Sequence, residues 1–389
     1  MTEKRKSKEK PYQGFEQGPI RPPSEASSLL IRVTRNCPWN HCTFCPVYKG
    51  ERFSLRPVAH VKKDIDTVKQ FVLPLKEMVG KGHPITRQEL NQMASKAEPS
   101  QMGAFQAAVN WLSGGMQSIF LQDANTLLIR PGDLIEILTH LRKAFPWVGR
   151  VTSYARSHTV SRIKDPDMKA IAHAGLSRIH IGLESGSDKV LQMVKKGVSK
   201  EMHIEAGQKV KRAGIELSEY VMPGLGGKKY SQEHALETAD ALNQINADFI
   251  RLRTLAIPTH VDLYKEYQSG GFEKLTDLMM CWEILLFIET LNGITSTLKS
   301  DHILNLFQEV EGRFPDDKAS MVKILKSFLA MNPSDQILYQ VGRRLGLFSD
   351  MEGLKDERDR KRVEEICATM GITPENVDAV IDDAMRRFI

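Results

Sequence analysis

The chain of 389 residues has no long apolar segment and no apolar N-terminus. No apolar run approaches the roughly 20 residues that a membrane-spanning helix needs. The first residues, Met1 to Lys8, are polar and basic and contain none of the apolar stretch that a secretory signal requires. The sequence therefore predicts a cytoplasmic protein with no membrane contact.

Cysteine is scarce, with five residues in the chain, and three of the five lie within nine positions. So few cysteines, so closely grouped, do not form a disulfide framework. In a reducing cytosol such a group is typical of a metal or catalytic site. The other two, Cys281 and Cys367, each stand alone in a helical pattern, which favours buried and inert thiols.

The chain also has no strong excess of charge of one sign. It contains 54 Lys and Arg residues and 48 Asp and Glu residues, for a net charge of +6. This mild excess indicates a solvated surface, and nucleic acid is not indicated as a partner. Residues 1–26 are polar and are expected to form a loosely held N-terminal arm, which includes the basic run Lys4-Arg5-Lys6. No repeat occurs at a fixed period.

Segments with strand and helix patterns alternate from residue 28 to about residue 260. Such alternation indicates a parallel sheet covered by helices, either a doubly wound sheet or an incomplete (β/α) barrel. In both architectures the site lies at the carboxyl ends of the strands. The six predicted strands are 28–34, 118–121, 150–154, 178–183, 216–221 and 248–253.

We expect this α/β part to span residues 27–271, with a polar insertion at about 80–102 that Gly and Pro interrupt. Residues 272–389 lack a strand pattern and are predicted to form a helical C-terminal region. Its apolar spacing predicts helices at 275–292, 302–311, 318–330, 335–345 and 374–388.

The segment Ser300–Asn305 begins one of these predicted helices, with Asp301 and Asn305 on one face. It has two interpretations. The polar groups either line a substrate cavity or form an ordinary helix N-cap.

Three cysteines, Cys37, Cys42 and Cys45, follow the first predicted strand with the spacing C-x4-C-x2-C. They can converge on one metal centre, but they are too few to complete a zinc site or an iron–sulfur cluster. One alternative adds a distant cysteine to a [2Fe–2S] cluster, as in plant-type ferredoxins. A second uses His41 as the fourth zinc ligand. A third is a [4Fe–4S] cluster with one iron open to a ligand that is not protein.

Two motifs together resemble the radical S-adenosylmethionine superfamily. The first is the cysteine loop, with Phe44 before its last cysteine; the spacing usual in that family, C-x3-C-x2-C, is one residue shorter. The second, Gly182–Leu191, is similar to a segment of the branch that contains coproporphyrinogen oxidases, methylthiotransferases and Elongator-type enzymes. The resemblance covers about residues 27–260 and implies a partial (β/α)6 TIM-like barrel.

The resemblance implies that Cys37, Cys42 and Cys45 hold a [4Fe–4S] cluster whose open iron binds S-adenosylmethionine. An electron from an external donor such as flavodoxin or ferredoxin would cleave it, through the cluster, to methionine and a 5′-deoxyadenosyl radical. This radical takes a hydrogen atom from a substrate, which we expect to be a small molecule, in an oxygen-poor setting. Two alternatives stay open: a non-enzymatic iron–sulfur electron carrier or scaffold, and an RNA-modifying radical enzyme.

The resemblance also implies which residues hold S-adenosylmethionine. Glu184 is expected to accept hydrogen bonds from the ribose hydroxyls. The segment Gln122–Asn125 replaces a Gly-Gly-Glu-like segment of the family, so Asp123 is expected to accept from the methionyl ammonium. The run Gly224–Gly227 lets backbone approach adenine. The full set of expected cofactor-binding residues is Phe44, Asp123, Asn125, Ser153, Arg156, Glu184, Ser185, Lys196 and Gly224.

Overall fold

The computed structural model describes residues 11–82 and 84–386, in which helices and short strands alternate. The strands are β1 Leu29–Arg32, β2 Thr34–Arg35, β3 Ser54–Leu55, β4 Ser118–Gln122, β5 Arg150–Ala155, β6 Arg178–Glu184, β7 Glu216–Val221, β8 Phe249–Leu252, β9 Thr297–Lys299 and β10 Gly312–Arg313. The helices are α1 Val58–Gly80, α2 Arg87–Ser95, α3 Met102–Ser113, α4 Pro131–Ala144, α5 Ser157–Arg162, α6 Asp165–His173, α7 Asp188–Met193, α8 Lys200–Arg212, α9 Gly227–Ile245, α10 Asp262–Gln268, α11 Asp277–Thr290, α12 Lys318–Leu329, α13 Pro333–Arg344, α14 Glu357–Met370 and α15 Val377–Arg386.

One sheet of eight strands organises the molecule, in the order β1-β4-β5-β6-β7-β8-β9-β10. Each strand from β1 to β9 in this order runs parallel to the next, and β10 is antiparallel to β9. All six strands predicted from the sequence are present. The α/β prediction of a partial (β/α)6 barrel is therefore confirmed, and β9 adds a further parallel strand.

The strands are buried on both faces, as parallel strands between a helix layer and a barrel interior must be. In β4, all five residues from Ser118 to Gln122 are buried. Inside the barrel four rings follow one another across neighbouring strands: Phe120, Tyr154, His180 and Tyr220, with successive centroids 5.0, 5.8 and 5.7 Å apart. These rings fill the middle of the barrel beneath the carboxyl ends of the strands.

Several helices begin at a residue whose side chain accepts a hydrogen bond from the first turn. Ser187 caps α7, Ser199 caps α8, Thr276 caps α11 and Asn332 caps α13. Each such cap contributes about 1 kcal/mol to helix stability. No helix in the described ranges combines the length and the hydropathy that a transmembrane span needs.

The C-terminal region is mostly helical, as predicted, but it also contains β9 and β10. The predicted helix at 302–311 is wrong, because these residues form a loop between the two strands. Asn305 in this loop donates to the Leu252 carbonyl and accepts from the Thr254 backbone, both at 2.9 Å. These contacts with the end of β8 override the local helical pattern, so Asp301 and Asn305 do not share a helix face.

Residues 11–26 are held firmly against the barrel, so the prediction of a loose arm is wrong for this part of it. The Glu16 carboxylate forms ion pairs with Arg32, Arg35 and Arg56. The Tyr12 hydroxyl donates to Asp64 at 2.8 Å. The basic run at residues 4–6 lies outside the described residues. The predicted insertion at 80–102 includes α2, none of whose residues is buried.

Candidate functional site

A cavity of about 700 Å³ opens at the carboxyl ends of the parallel strands. This volume is within the range of small-molecule sites in proteins. Every parallel strand contributes to the lining through its carboxyl end or the loop that follows it, which places the cavity where α/β sheets usually bind ligands. One lining residue from each of these seven strand ends, in chain order, is Cys37, Ala124, Arg156, Glu184, Met222, Arg253 and His302, of which Glu184 is the last residue of β6 itself.

The three clustered cysteines all line this cavity as free thiols that are partly exposed. Their loop is fixed on both sides by backbone hydrogen bonds. The Thr43 amide donates to the Val194 carbonyl, and the Thr43 carbonyl accepts from the Leu263 amide, both at 3.0 Å. The loop therefore presents its thiols from a backbone anchored between α7 and α10.

The Lys196 ammonium lies near these thiols and affects their pKa. Burial raises the pKa of the Cys42 and Cys45 thiols, and the neighbouring Lys196 ammonium acts against this rise. Burial lowers the pKa of Lys196, but the Glu184 carboxylate and the Cys42 thiolate together raise it overall, so the ammonium stays charged at neutral pH. Positive charge at this end of the cavity favours thiolates, which are the form that binds metals.

Glu184 points into the cavity from an unusual backbone position. Its φ is +64°, in the left-handed region, and the register between β6 and β7 shifts between Gly182 and Glu184. A Cβ atom on Gly182 would lie 2.2 Å from the Glu184 Oε1 atom, so only glycine leaves room for this carboxylate. Lys196 Nζ donates to the same oxygen at 3.1 Å. Strained positions of this kind cluster at functional sites.

The connection between α7 and α8 packs directly on the cysteine loop. The Trp39 indole donates to the Lys195 carbonyl at 2.7 Å, and the Arg156 guanidinium lies 5.1 Å from its ring centroid. Arg156 also donates to the Lys196 carbonyl at 2.7 Å. Gly197, with φ of +71°, leaves the space that the indole occupies, since a Cβ atom there would lie 2.3 Å from the ring. This packing fixes Lys196 and Arg156 relative to the thiols.

The structure brings part of the predicted site together. The predicted site residues that line the cavity are Cys37, Cys42, Cys45, Phe44, Arg156, Glu184 and Lys196.

Asp123 does not reach the cavity, although the sequence analysis expected its carboxylate to meet an amine ligand there. Its side chain is fully buried, and Oδ2 accepts from Arg32 Nε at 2.7 Å and from the Asn36 amide at 3.1 Å. Gly18 of the N-terminal segment covers the other oxygen, Oδ1, since a Cβ atom on Gly18 would lie 1.7 Å from it. The carboxylate is therefore occupied by Arg32 on β1.

Asn125 and Ser153 are also buried behind the lining. The Asn125 side chain accepts from the Arg156 amide at 3.1 Å and donates to Thr159 at 2.8 Å. Ser153 donates to the Leu121 carbonyl at 3.4 Å. Asn125 thus holds the loop after β5, which carries Arg156, Ser153 links β5 to β4, and neither side chain lines the cavity.

Ser185 and Gly224 lie behind the cavity, where buried hydrogen bonds hold each of them to a neighbouring helix. Ser185 Oγ lies 2.8 Å from His234 Nδ1 on α9, and His234 Nε2 lies 3.7 Å from Glu283 on α11. Glu283 accepts from the Gly224 amide at 2.6 Å and from the Ser231 hydroxyl at 2.5 Å. The loop after β6 is therefore held by α9, and the loop after β7 is held by α11, which Ser231 joins to α9.

The polar lining residues that the sequence analysis did not single out include His203 and Arg253, whereas His302 belongs to the segment Ser300–Asn305, of which His302, Ile303 and Leu304 line the cavity. His203 Nδ1 lies 2.5 Å from the Ser157 hydroxyl. Arg253 directly follows β8, so the rule that sites lie at strand ends could have identified it. His302 follows β9, a strand too short for its pattern to be seen in the sequence.

The residues present suit a [4Fe–4S] cluster with one open iron. The donor set at the cavity is three thiols beside cationic side chains, and neither Cys281 nor Cys367 lines it. His41 contacts the Trp39 ring edge-on at 5.0 Å and is not part of the lining. Across residues 11–82 and 84–386, no three His, Cys, Asp or Glu side chains are grouped so as to hold a single metal ion. Three thiolates on a loop are compatible with a larger cluster, which iron–sulfur proteins hold by cysteine.

Comparisons with known proteins identify a family and several similar chains. The model of the Radical SAM superfamily matches residues 31–242. The tRNA uridine(34) acetyltransferase of Methanocaldococcus infernus is 23% identical over 110 residues, which are 28% of this chain and 21% of that protein. Among solved structures, the archaeal Elp3 of the same organism, with its N-terminus deleted, is 16% identical with a TM-score of 0.41, over 53% of this chain and 55% of that one.

Coproporphyrinogen III oxidase (HemN) from Escherichia coli, described as a radical SAM enzyme, is 12% identical with a TM-score of 0.44, over 67% of this chain and 52% of that one. The chain thus spans about a fifth of the length of the curated relative and little more than half of these two solved chains.

Proposed function

The chain belongs to the radical SAM superfamily and is an enzyme of that class, and from this premise we propose that Cys37, Cys42 and Cys45 hold a [4Fe–4S] cluster at which S-adenosylmethionine is cleaved. When bound, the cluster supplies the electron that converts S-adenosylmethionine to methionine and a 5′-deoxyadenosyl radical. An external donor such as flavodoxin or ferredoxin then reduces the cluster again. The radical then takes a hydrogen atom from a small-molecule substrate.

The observation that supports this proposal is the grouping of the three thiols with a paired carboxylate and ammonium in one cavity. Glu184 and Lys196 lie 3.1 Å apart, and both line the cavity with the cysteines. A carboxylate accepts two hydroxyl hydrogen bonds, so Glu184 suits a ribose. Lys196 has donors left for the carboxylate of an amino acid, and the guanidinium of Arg156 matches the same group.

The chain's other residues serve to position these groups and to exclude water. Asn125 orients the backbone of Arg156, as described above, and Ser185 anchors the turn after Glu184. Apolar side chains, including Ile303 and Leu304, cover part of the cavity. Excluding water from a site protects a reactive intermediate from side reactions.

Anaerobic reconstitution with iron and sulfide tests the proposal. We expect uptake of about four irons per chain, as a [4Fe–4S] cluster requires, and formation of 5′-deoxyadenosine when S-adenosylmethionine and dithionite are added. Cys42→Ala should lose both. Cys281→Ala is the matched control, because this buried thiol lies outside the cavity, and it should keep both. Cleavage that survives in Cys42→Ala would contradict the assignment.

Two further measurements distinguish this proposal from two other functions. An electron carrier or scaffold would show a reversible redox signal, and adding S-adenosylmethionine would leave the EPR spectrum of the reduced cluster unchanged. An RNA-modifying enzyme would retain tRNA in a filter-binding assay at moderate salt. The short similarity to tRNA uridine(34) acetyltransferase makes tRNA the nucleic acid to try first.

A further inference from the structure

One part of the cavity is not used by the cluster or by the residues proposed for S-adenosylmethionine. It is formed by the loops that follow β8 and β9, and its polar lining residues are Arg253 and His302. Tyr154 lies in the same lining, on the barrel's interior face. We call these three residues the Arg253 subsite.

Arg253 carries an unneutralised charge into the cavity. Among the lining cations of residues 11–82 and 84–386, it is the one whose side chain makes no hydrogen bond or ion pair with the protein. Lys196 pairs with Glu184, and Arg156 donates to a carbonyl. Arg251, two positions earlier, is paired with Asp301 at 2.6 Å. The Arg253 side chain is exposed to the cavity and is free to bind a ligand.

The neighbours of Arg253 add hydrogen-bond donors rather than charge. Burial, reinforced by Arg253, lowers the pKa of His302 to about 4, so this imidazole is neutral at pH 7. Its Nδ1 atom accepts from the Leu304 amide at 3.3 Å, which assigns the ring proton to Nε2. Neither Nε2 nor the Tyr154 hydroxyl is bonded to another group within the described part of the chain. Both can donate to a ligand.

The loop that carries His302 is fixed before any ligand arrives. Asn305 bridges it to the end of β8 through the Leu252 carbonyl and the Thr254 amide and hydroxyl, at 2.9 to 3.0 Å. The ion pair of Asp301 with Arg251 adds a second attachment. Donors held in place in this way lose little entropy on binding, which increases affinity.

The charges of the lining determine which ligand fits. Glu184 is the only carboxylate that lines the cavity in the described ranges, and Lys196 already neutralises it. A guanidinium with free donors binds carboxylate or phosphate oxygens strongly. Tyr154 and Tyr220 in the same cavity offer ring surface to a flat organic body.

We propose that the Arg253 subsite binds the anionic group, a carboxylate or a phosphate, of this enzyme's substrate. This inference rests on the proposed function, because it assigns the cavity beside the cysteine loop to the substrate. The substrate is then a small organic anion whose charged group is held by Arg253, His302 and Tyr154, with the reacting carbon towards the thiols.

Ligand-detected NMR on the reconstituted enzyme, with S-adenosylmethionine present, tests the subsite with two probes, benzoate and phenyl phosphate. Benzamide is the neutral control of the same shape. We expect Arg253→Gln to lower the affinity for the two anionic probes by roughly tenfold or more, since a hydrogen bond to a charged group contributes that much binding energy. Arg253→Lys should retain part of the affinity. Arg130→Gln removes an exposed arginine that does not line the cavity, and it should bind both probes as the wild type does. The ratio between the two probes distinguishes a carboxylate from a phosphate site.

Three results would overturn the proposal: no saturable binding of either anion to the wild type, equal binding by wild type and Arg253→Gln, or a loss of S-adenosylmethionine affinity in Arg253→Gln as large as the loss for the probes. The last would place Arg253 in the cofactor site. A wild-type enzyme that binds the anions but forms no 5′-deoxyadenosine would instead contradict the proposed function and leave the anion site standing.

Discussion

Replacing Glu283 by Gln should remove a large pH dependence of stability. This carboxyl group lies on α11, is almost completely buried, and accepts hydrogen bonds from Gly224 and Ser231. No cation in residues 11–82 and 84–386 pairs with it, since burial lowers the pKa of the adjacent His234 to about 4 and leaves that ring neutral. Burial accordingly raises the pKa of Glu283 to about 7.

The sign and size of the effect follow from the two states of the chain. An unfolded Glu loses its proton near pH 4.5, whereas the folded one keeps it until about pH 7. The stabilising contribution is therefore complete below pH 4.5 and is lost as the pH rises through 7. A tenfold change in proton affinity corresponds to 1.36 kcal/mol, so the loss is about 3 kcal/mol. A glutamine amide keeps an acceptor for Gly224 and does not titrate.

Urea unfolding of both proteins across this pH range measures the difference. We expect the unfolding free energy of Glu283→Gln, relative to the wild type, to increase by about 3 kcal/mol from about pH 4.5 to above pH 7. Glu289→Gln is the control, because this residue is exposed on the same helix, and its curve should follow the wild type. Parallel curves for Glu283→Gln and the wild type would refute the reasoning and show that the buried carboxyl group ionises normally.

Three further substitutions test other contacts. Arg56→Met should cost about 3–5 kcal/mol in urea unfolding, because it leaves Asp64 buried without its cation, and adding Asp64→Leu should restore part of the loss, since Glu16 and Tyr12 still lack the partners they have in the wild type. Gly197→Ala should lower the melting temperature and the iron content together, at a cost of about 1–3 kcal/mol, since its φ is +71° and the Trp39 ring fills the space; normal iron content would contradict this. Lys196→Met should weaken S-adenosylmethionine binding roughly tenfold in equilibrium dialysis, whereas Lys195→Met, at the exposed neighbouring position, should not.

The parallel strands were predictable because each is a run of buried residues followed by a helix with its own start signal. The segment Arg178–Glu184 is an example, since all of it except Gly182 and Glu184 is buried. The strand Thr297–Lys299 could not be predicted, because a segment of three residues is too short to show a hydrophobic period. The loop at 302–311 has helical spacing, and only the contacts of Asn305 with the end of β8 reveal why it is not a helix.

The candidate site was predictable to the same extent. Strand-end position and motif identified Glu184 and Arg156, which line the cavity. They also placed Asp123 and Ser185 there, and both are buried behind it. For Asp123 the deciding partners are Arg32 and Gly18, roughly 90 and 105 positions away in the chain. No local pattern reports such partners, so strand-end position alone does not separate residues that meet a ligand from residues that hold the loop.

The part of the chain after residue 271 contributes to the cavity as well as to the core. The match to the superfamily ends at residue 242, yet Arg253 and His302 in the lining lie beyond it. β9 pairs with β8, and Glu283 holds the loop at Gly224. The domain boundary near residue 271 stays a prediction. It would separate His302 from Arg253 and Tyr154, the other residues of the Arg253 subsite. If the strands within the match hold the cofactor, then Arg253 and His302, which we propose for the substrate, come from the segment beyond the match.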